Sequence, residues 1–157
     1  MIVRMERGEL NERLYRCLQE IAVLIDDGDR GAMHGAGLTP AHFNVLRLLE
    51  SGPDVAGHTI TRLAELTLCT RGNTSRLVQR LVTAGLVEIR SDSSDQRLAR
   101  VVLSATGAEH LAAADREHTQ LNATRFGEMT DSEIAELAET LSAVSRQLRK
   151  HLVNRPR

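Results

Sequence analysis

Apolar residues recur along most of the chain with the 3.6-residue period of amphipathic helices. The first such stripe covers residues 10–25, and the acidic run that follows it predicts the end of a first helix. A loop with three glycines is expected over residues 30–37. Thr39 and Pro40 then predict the start of a second helix that continues to about Ser51, because threonine caps helices and proline fits their first turn.

Two short helices joined by a brief connection are predicted next. The first covers residues 60–66, with Thr59 or Thr61 as its cap. The second covers residues 70–84, opens on a threonine cap, and is followed by Gly85, where a helix often ends in the left-handed conformation. Two short helices with a tight turn between them predict a helix-turn-helix.

The apolar pattern changes its period after this motif. Residues 86–90 and 98–103 alternate or run apolar, as strands do, and the polar segment 91–97 lies between them. The sequence therefore predicts a hairpin whose long loop projects from the body. A projecting loop beside a helix-turn-helix is a wing.

The last third of the chain is predicted to be helical. One helix is opened by Ser104 or Thr106 and runs to about Phe126, and a second is opened by a capping box between Thr130 and Glu133. The last helix carries an apolar seam with spacings of 3 and 4, the pattern of a helix packed against a partner helix, at Ile134, Leu137, Leu141, Val144 and Leu148. Another subunit or another helix of the same chain would satisfy this pattern. A second subunit is favoured, because the first helix carries a stripe as well.

Length and composition limit the fold further. The chain has 157 residues, enough for one domain with a dimerisation element, and only 2% of them are aromatic, so the core must be aliphatic. The predicted fold class is mainly α, with a small β-hairpin wing and a helical dimerisation region. No apolar run reaches membrane-spanning length and the first residues do not form a signal peptide, so we expect a cytoplasmic protein without a membrane partner.

The net charge of −1 argues against a nucleic-acid partner when it is taken over the whole chain. The distribution of charge along the chain gives a different result. Residues 62–100 contain seven arginines against four acidic residues, a balance of +3, while the remaining segments sum to −4. The positive charge is therefore local, and it coincides with the predicted helix-turn-helix and wing.

The helix at 70–84 has two different faces when its residues are placed 100° apart. Thr74, Leu77, Val78 and Leu81 share one side, which predicts the face toward the core. The opposite side contains no carboxylate, and its members are side chains that bond to phosphates and base edges together with one glycine: Gly72, Ser75, Arg76, Gln79, Arg80 and Thr83. A solvated surface typically mixes Glu and Lys, so DNA reading is the favoured interpretation.

Residues 38–107 resemble the winged helix-turn-helix of the MarR family of bacterial transcriptional regulators. The matching segments are Leu38 to Leu46, Leu63-Ala64-Glu65, Thr70 to Leu81 with Gly85-Leu86-Val87, Asp95-Gln96-Arg97, and Leu103-Ser104 with Gly107. The flanking helices extend the resemblance over the whole chain. It implies a homodimer with dimerisation regions at 1–37 and 104–157 and a DNA-binding domain at 38–103.

The resemblance also implies which residues meet double-stranded DNA. The recognition helix would serve the major groove, and Arg97 in the wing would reach the minor groove or its phosphates, with Asp95 holding the loop. Many relatives carry two adjacent arginines after that aspartate, where this chain has Gln96 and Arg97. The expected DNA-binding residues are Thr70, Arg71, Asn73, Thr74, Ser75, Arg76, Gln79, Arg80 and Arg97.

Regulators that resemble this chain respond to a small phenolic or lipophilic effector or to an oxidant. The expected function is therefore a repressor released by an effector, and the candidate ligand-binding residues are Tyr15, Arg16, His34 and His42. Cys17 is the candidate for an oxidant-sensing alternative, although a buried hydrophobic role is favoured for it, and Cys69 is expected in the core.

Other classes of function are less well supported. We expect no cofactor and no metal site, because the histidines show no close pair at helical metal-binding spacing. No Ser/His/Asp set, Gly-rich phosphate loop or HExxH motif occurs, so an enzyme is not expected. A helical ligand-binding or protein-interaction protein with an unused winged domain remains an alternative.

Overall fold

The computed structural model of the protein describes residues 6–51, 57–92, 95 and 98–153. These residues form mainly helices with one small antiparallel sheet, which confirms the predicted fold class. In chain order the elements are α1 (Arg7–His34), α2 (Pro40–Ser51), α3 (Ile60–Thr67), α4 (Arg71–Thr83), β1 (Val87–Ser91), β2 (Ala99–Leu103), α5 (Ala105–Arg125) and α6 (Asp131–Val153).

Helix α1 is longer than its sequence predicts, because it continues through the acidic run and reaches His34. Arg30 binds Asp26 one turn earlier at 2.6 Å, and the buried side chain of Met33 ties the last turns to the core. Single glycines cost a helix only about 1 kcal/mol each, which packing offsets. The predicted end of the helix near residue 25 and the predicted loop over 30–37 are therefore wrong, and the chain turns only at Gly37, where φ is 68°.

The other helices begin where their capping residues predict. The backbone N–H of His42 donates to Thr39 Oγ1 at 3.2 Å as α2 starts, and the backbone N–H of Gly107 donates to Ser104 Oγ at 2.9 Å as α5 starts. Thr130 and Glu133 form the predicted capping box of α6, since each backbone N–H donates to the side chain of the other. Hydrogen bonds from Thr130 also lower the pKa of the Glu133 carboxyl.

The chain divides into two compact units, Met1–His118 and Thr119–Arg157. The buried core of the first unit is aliphatic, as predicted, apart from Phe43, whose ring packs 5.1 Å from that of His118. Its largest other apolar members come from α1 to α5 and from the sheet: Met33, Leu46, Leu63, Leu81, Leu111, Val45, Val78, Val87 and Val101. The two strands pair from Val87 with Leu103 to Ser91 with Ala99, and His58 adds an isolated bridge to Val101.

Candidate nucleic-acid interface

Helices α3 and α4 form the predicted helix-turn-helix. Thr59 Oγ1 accepts the N–H of Arg62 to cap α3, and Thr70 Oγ1 accepts the N–H of Asn73 at 3.3 Å to cap α4. Between the two helices Leu68 takes the left-handed conformation with a φ of 56°, which ends α3 and turns the chain. After α4 the same conformation is adopted by Gly85, as the sequence predicts.

Helix α4 presents the two faces that its sequence predicts. Val78 and Leu81 are buried and Leu77 is half-buried, so this side packs into the core. The opposite side and the outward part of the first turn are exposed. We call these exposed residues together the reading face, defined as Arg71, Gly72, Asn73, Ser75, Arg76, Gln79, Arg80 and Thr83.

Thr74, one of the residues predicted to contact DNA, does not belong to the reading face. Thr74 is only 1% exposed, and its hydroxyl donates to the carbonyl oxygen of Thr70 at 3.1 Å. Its hydroxyl proton is therefore donated inside the helix, and the buried side chain is not available to DNA. The prediction that Thr74 contacts DNA is wrong, whereas its predicted position on the core side of the helix is confirmed.

The arginines of the reading face differ from those around it. Arg62 of α3 binds Glu65 at 3.0 Å, and Arg90 of β1 binds Glu88 at 2.9 Å. Among the residues that the structure describes, Arg71, Arg76 and Arg80 form no ion pair or side-chain hydrogen bond, and the reading face contains no carboxylate. Three exposed guanidinium groups on one helix, none of them paired with a described carboxylate, are suited to bind anions such as phosphates, and their donor forks also match base edges.

The base of the wing is held by an ion pair that the sequence does not reveal. Arg100 of β2 binds the buried carboxylate of Asp92, and its guanidinium also donates to the carbonyl oxygen of Gly57 at 2.8 Å. Asp92 Oδ1 accepts the backbone N–H of Asp95 at 3.0 Å, so one carboxylate organises both ends of the loop. The predicted wing residues Gln96 and Arg97 lie outside the described residues. Any contact that Asp95 makes with them therefore lies outside the described part of the structure as well.

Solved structures of several transcription regulators share this fold. The regulator BldR from Sulfolobus solfataricus is 20% identical, with 91% of this chain and 99% of that chain covered and a TM-score of 0.78. A mutant of MarR from E. coli in complex with operator DNA is 23% identical, with 89% and 99% covered and a TM-score of 0.77. CouR from Rhodococcus jostii bound to p-coumaroyl-CoA is 19% identical, with 86% and 94% covered and a TM-score of 0.77.

The sequence itself matches a family model. Residues 36–98, from the end of α1 to the start of β2, match the model described as the MarR family. The winged helix-turn-helix within this segment is therefore that of the MarR family. Among curated proteins the search found no match.

The candidate effector residues do not form one site within a single chain. Tyr15 and Arg16 lie in the first half of α1, about 28 Å along the helix axis from His34 at its end. His34 lines an open cavity of about 400 Å³ with residues of α1 and the start of α2: Asp26, Arg30, Leu38, Thr39, Pro40 and Ala41. His42 instead lies in the first turn of α2, where partial burial and then the guanidinium of Arg80 lower the pKa of its imidazole.

Both cysteines of the chain are exposed. The expectation that Cys69 belongs to the core is wrong, because Leu68 turns the chain and leaves both residues of the connection at the surface. Cys17 is exposed on α1 as well, so the single chain does not bury it as predicted. Its candidate role as an oxidant sensor stays a prediction.

The structure adds two further observations on the described residues. They contain no group of three or more His, Cys, Asp or Glu side chains placed to hold a metal ion. None of the described helices combines the length and apolar character needed to cross a bilayer.

Proposed function

We propose that this chain is a dimeric, cytoplasmic DNA-binding repressor of the MarR family that reads a pseudo-palindromic operator. The observation that carries the proposal is the exposed, carboxylate-free reading face of α4, with three arginines that no acidic side chain of the described residues neutralises. A solvated helix surface has no need of this composition, whereas a DNA groove supplies both the phosphates and the base edges that arginines bind.

We propose a separate role in DNA binding for helix α4 and for the wing. Helix α4 enters the major groove, where its exposed polar side chains contact bases or flanking phosphates: Arg71, Asn73, Ser75, Arg76, Gln79 and Arg80. Thr70 caps the helix at the same end and orients its first turn. The wing at 91–97 lies against the adjacent minor groove through Arg97, a role that rests on the sequence alone.

Two exposed apolar surfaces support the proposed dimer. Helix α1 exposes Leu14, Ile21 and Leu24, and α6 exposes the predicted seam at Ile134, Leu137, Leu141 and Leu148. Exposed apolar surfaces of this extent mark interfaces in folded proteins. We therefore assign residues 1–37 and 104–157 to dimerisation and 38–103 to DNA binding. A two-fold dimer places its α4 helices on half-sites about 34 Å apart.

We further propose that a small phenolic or lipophilic effector releases the protein from DNA. CouR, which shares the fold, was crystallised with p-coumaroyl-CoA. The cavity beside His34 is the candidate site in this chain, because it joins an exposed histidine and the Asp26–Arg30 pair to the apolar side chain of Leu38. Release of DNA by a panel of aromatic acids and their thioesters, weakened by His34→Ala, would support this assignment.

A thiol-based response is the second candidate, because both cysteines are exposed. Cys69 lies one residue before the cap of α4, where oxidation would alter the turn that positions the reading face. Mild peroxide followed by mass spectrometry and DNA titration of the Cys17→Ser and Cys69→Ser variants tests this route. Release that survives both substitutions would exclude it.

Footprinting on the intergenic DNA beside the protein's own gene tests the main proposal. The expected result is a protected site with two-fold symmetry and an affinity that falls steeply with salt, because phosphate contacts release counterions. A flat salt dependence together with equal affinity for operator and random DNA would instead favour a protein-interaction or ligand-binding role for the winged domain.

A further inference from the structure

Another cavity lies between α2 and α3, apart from the candidate effector cavity beside His34. It has a volume of about 450 Å³, which is within the range of sites that bind small molecules. The two cavities have no lining residue in common. We call this one the α2–α3 cavity, and its described walls are Asn44, Arg47, Leu48, Ser51, Leu66 and Thr67.

Most of the lining residues share one face of α2. Asn44 and Leu48 lie four positions apart, as do Arg47 and Ser51, so these side chains are neighbours along successive turns. The other side of α2 is buried in the core, and the facing wall of the cavity is the last turn of α3. The described walls therefore belong to packed helices and do not depend on a loop.

Arg47 supplies the positive charge of this cavity, and its neighbours hold it in place. Its guanidinium carbon lies 5.5 Å from the centre of the buried ring of Phe43, whose face attracts a cation. Arg47 Nε lies 3.9 Å from Asp115 Oδ1, which is too long for a hydrogen bond. No described residue therefore accepts a hydrogen bond from this guanidinium, and its donors stay available to a ligand.

The other lining side chains decide what kind of ligand can join Arg47. The amide of Asn44 makes no hydrogen bond with any described residue, whereas the hydroxyl of Thr67 already donates to the carbonyl oxygen of Leu63 at 2.8 Å. Leu48 and Leu66 are half-buried and supply apolar surface. None of the described lining residues is acidic, so the cavity combines free donors with an apolar wall and contains no competing carboxylate of its own.

We propose that the α2–α3 cavity binds a small monocarboxylate with an apolar tail. The carboxylate accepts hydrogen bonds from the guanidinium of Arg47, in the paired geometry that these two groups favour, and from the amide of Asn44. The tail packs against Leu48 and Leu66, which removes apolar surface from water. This ligand site is additional to the proposed DNA-binding function and does not depend on it.

Calorimetric titration of the full chain with hexanoate tests the chemistry of the site. A Kd of about 1 mM or lower is expected, because well-buried small ligands reach this affinity. Two further probes separate the charge from the tail, since hexanamide has the same shape without the charge and acetate has the charge without the tail. Each is expected to bind at least about tenfold more weakly than hexanoate. Either probe binding as tightly as hexanoate would contradict the proposal.

Three variants test the residues. Arg47→Met keeps an unbranched stem beside Phe43 but removes the guanidinium, so its affinity for hexanoate is expected to fall at least about tenfold. Asp115→Asn removes the carboxylate beside Arg47 and is expected to strengthen binding, because a like charge no longer faces the ligand. The matched control is His34→Ala in the other cavity, which should bind hexanoate as wild type does. Circular dichroism checks that each variant is folded.

NMR spectra of the wild-type protein with and without hexanoate locate the ligand without any substitution. Shifts are expected for the methyl groups of Leu48 and Leu66 and for the side-chain amide of Asn44. Shifts confined to other residues, no saturation below about 10 mM hexanoate, or full affinity in Arg47→Met overturns the inference. DNA binding is measured separately by footprinting, so its absence would overturn the proposed function and leave this ligand site intact.

Discussion

At the scale of single residues, Gly107 illustrates how closely the winged domain is packed. A Cβ atom at this position would overlap the carbonyl oxygen of Leu86 and lie 2.9 Å from its carbonyl carbon. Both are backbone atoms, so relief requires the start of α5 to move away from the link between α4 and β1. We expect Gly107→Ala to lower the free energy of unfolding by about 3 kcal/mol, measured by urea denaturation.

Gly31→Ala provides the matched control for that prediction. Gly31 lies in the interior of α1, and a Cβ atom there would meet nothing within 4 Å. Alanine at an open helical position is expected to raise the free energy of unfolding by about 0.5–1 kcal/mol. Equal effects of the two substitutions would contradict the close contact described at Gly107.

Arg76 offers a residue-scale test of the reading face. It is exposed near the middle of α4 and unpaired among the described residues, so its guanidinium is available for a bidentate contact with guanine. Arg76→Ala is expected to cost about 1–3 kcal/mol per half-site and to relax preference at one base pair, measured by titration of operator variants. Arg116→Ala, an exposed substitution on α5, serves as the control. Unchanged operator affinity in Arg76→Ala would remove this residue from the interface.

Capping residues could be predicted from the sequence because their role is decided locally. A threonine before an apolar helical stripe satisfies the first free N–H groups wherever the helix packs, and Thr59, Thr70 and Thr130 all do so. The exposure of Cys69 could not be predicted in this way. It depends on the left-handed conformation of Leu68, which leucine rarely adopts and which no local pattern announces.

At the scale of elements, periodicity identified each helix face, but it did not fix where α1 ends. The faces of α4 follow from the positions of apolar residues alone, and the structure buries those residues. The length of α1 depends on a side-chain pair and on a tertiary contact, the Asp26–Arg30 bond and the burial of Met33. Neither contact can be predicted from the positions of helix-breaking residues.

The anchor of the wing was missed for a similar reason. Asp92 and Arg100 lie eight positions apart on either side of a loop, and they meet only because the two strands pair in one particular register. The carbonyl oxygen of Gly57, which Arg100 also binds, lies still farther away along the chain. A sequence pattern can indicate a hairpin, but register and long-range partners determine which charges meet.

The wing anchor leads to a prediction about stability. Asp92 is only 5% exposed, so Asp92→Ala leaves Arg100 without its carboxylate in a half-buried position and removes the acceptor for the N–H of Asp95. We expect a loss of about 2–3 kcal/mol in the free energy of unfolding, together with weaker DNA binding. Thermal and urea unfolding measure the first effect, and DNA titration measures the second.

The control for the wing anchor lies in the same hairpin. Glu88 binds Arg90 at 2.9 Å, but both side chains are more than half exposed, so Glu88→Ala is expected to cost less than about 1 kcal/mol. If the two substitutions were equally mild, Asp92 would not anchor the wing. If Asp92→Ala destabilised the protein without weakening DNA binding, the wing would contribute little to the interface.

At the scale of the whole molecule, the near-zero net charge conceals an uneven distribution of charge along the chain. The balance of +3 over residues 62–100 coincides with α3, α4 and the sheet, and in the structure its unpaired arginines lie together on the reading face. Because aromatic residues are scarce, the exposed apolar surfaces of α1 and α6 are mainly aliphatic. The sequence located these surfaces through their periodicity, but it could not tell whether the chain itself covers them.

The seam of α6 allows the proposed dimer to be tested. Leu141 lies within this seam and is more than a third exposed in the single chain, so Leu141→Glu would bury a carboxylate only if a partner subunit covers it. We expect this variant to shift the dimer toward monomer in analytical ultracentrifugation and to reduce operator affinity, since one half-site contributes far less than two. Ala143→Glu, on another face of the same helix, should leave the dimer intact. If both variants sediment like wild type, α6 does not form the interface, and the exposed face of α1 must be tested in the same way.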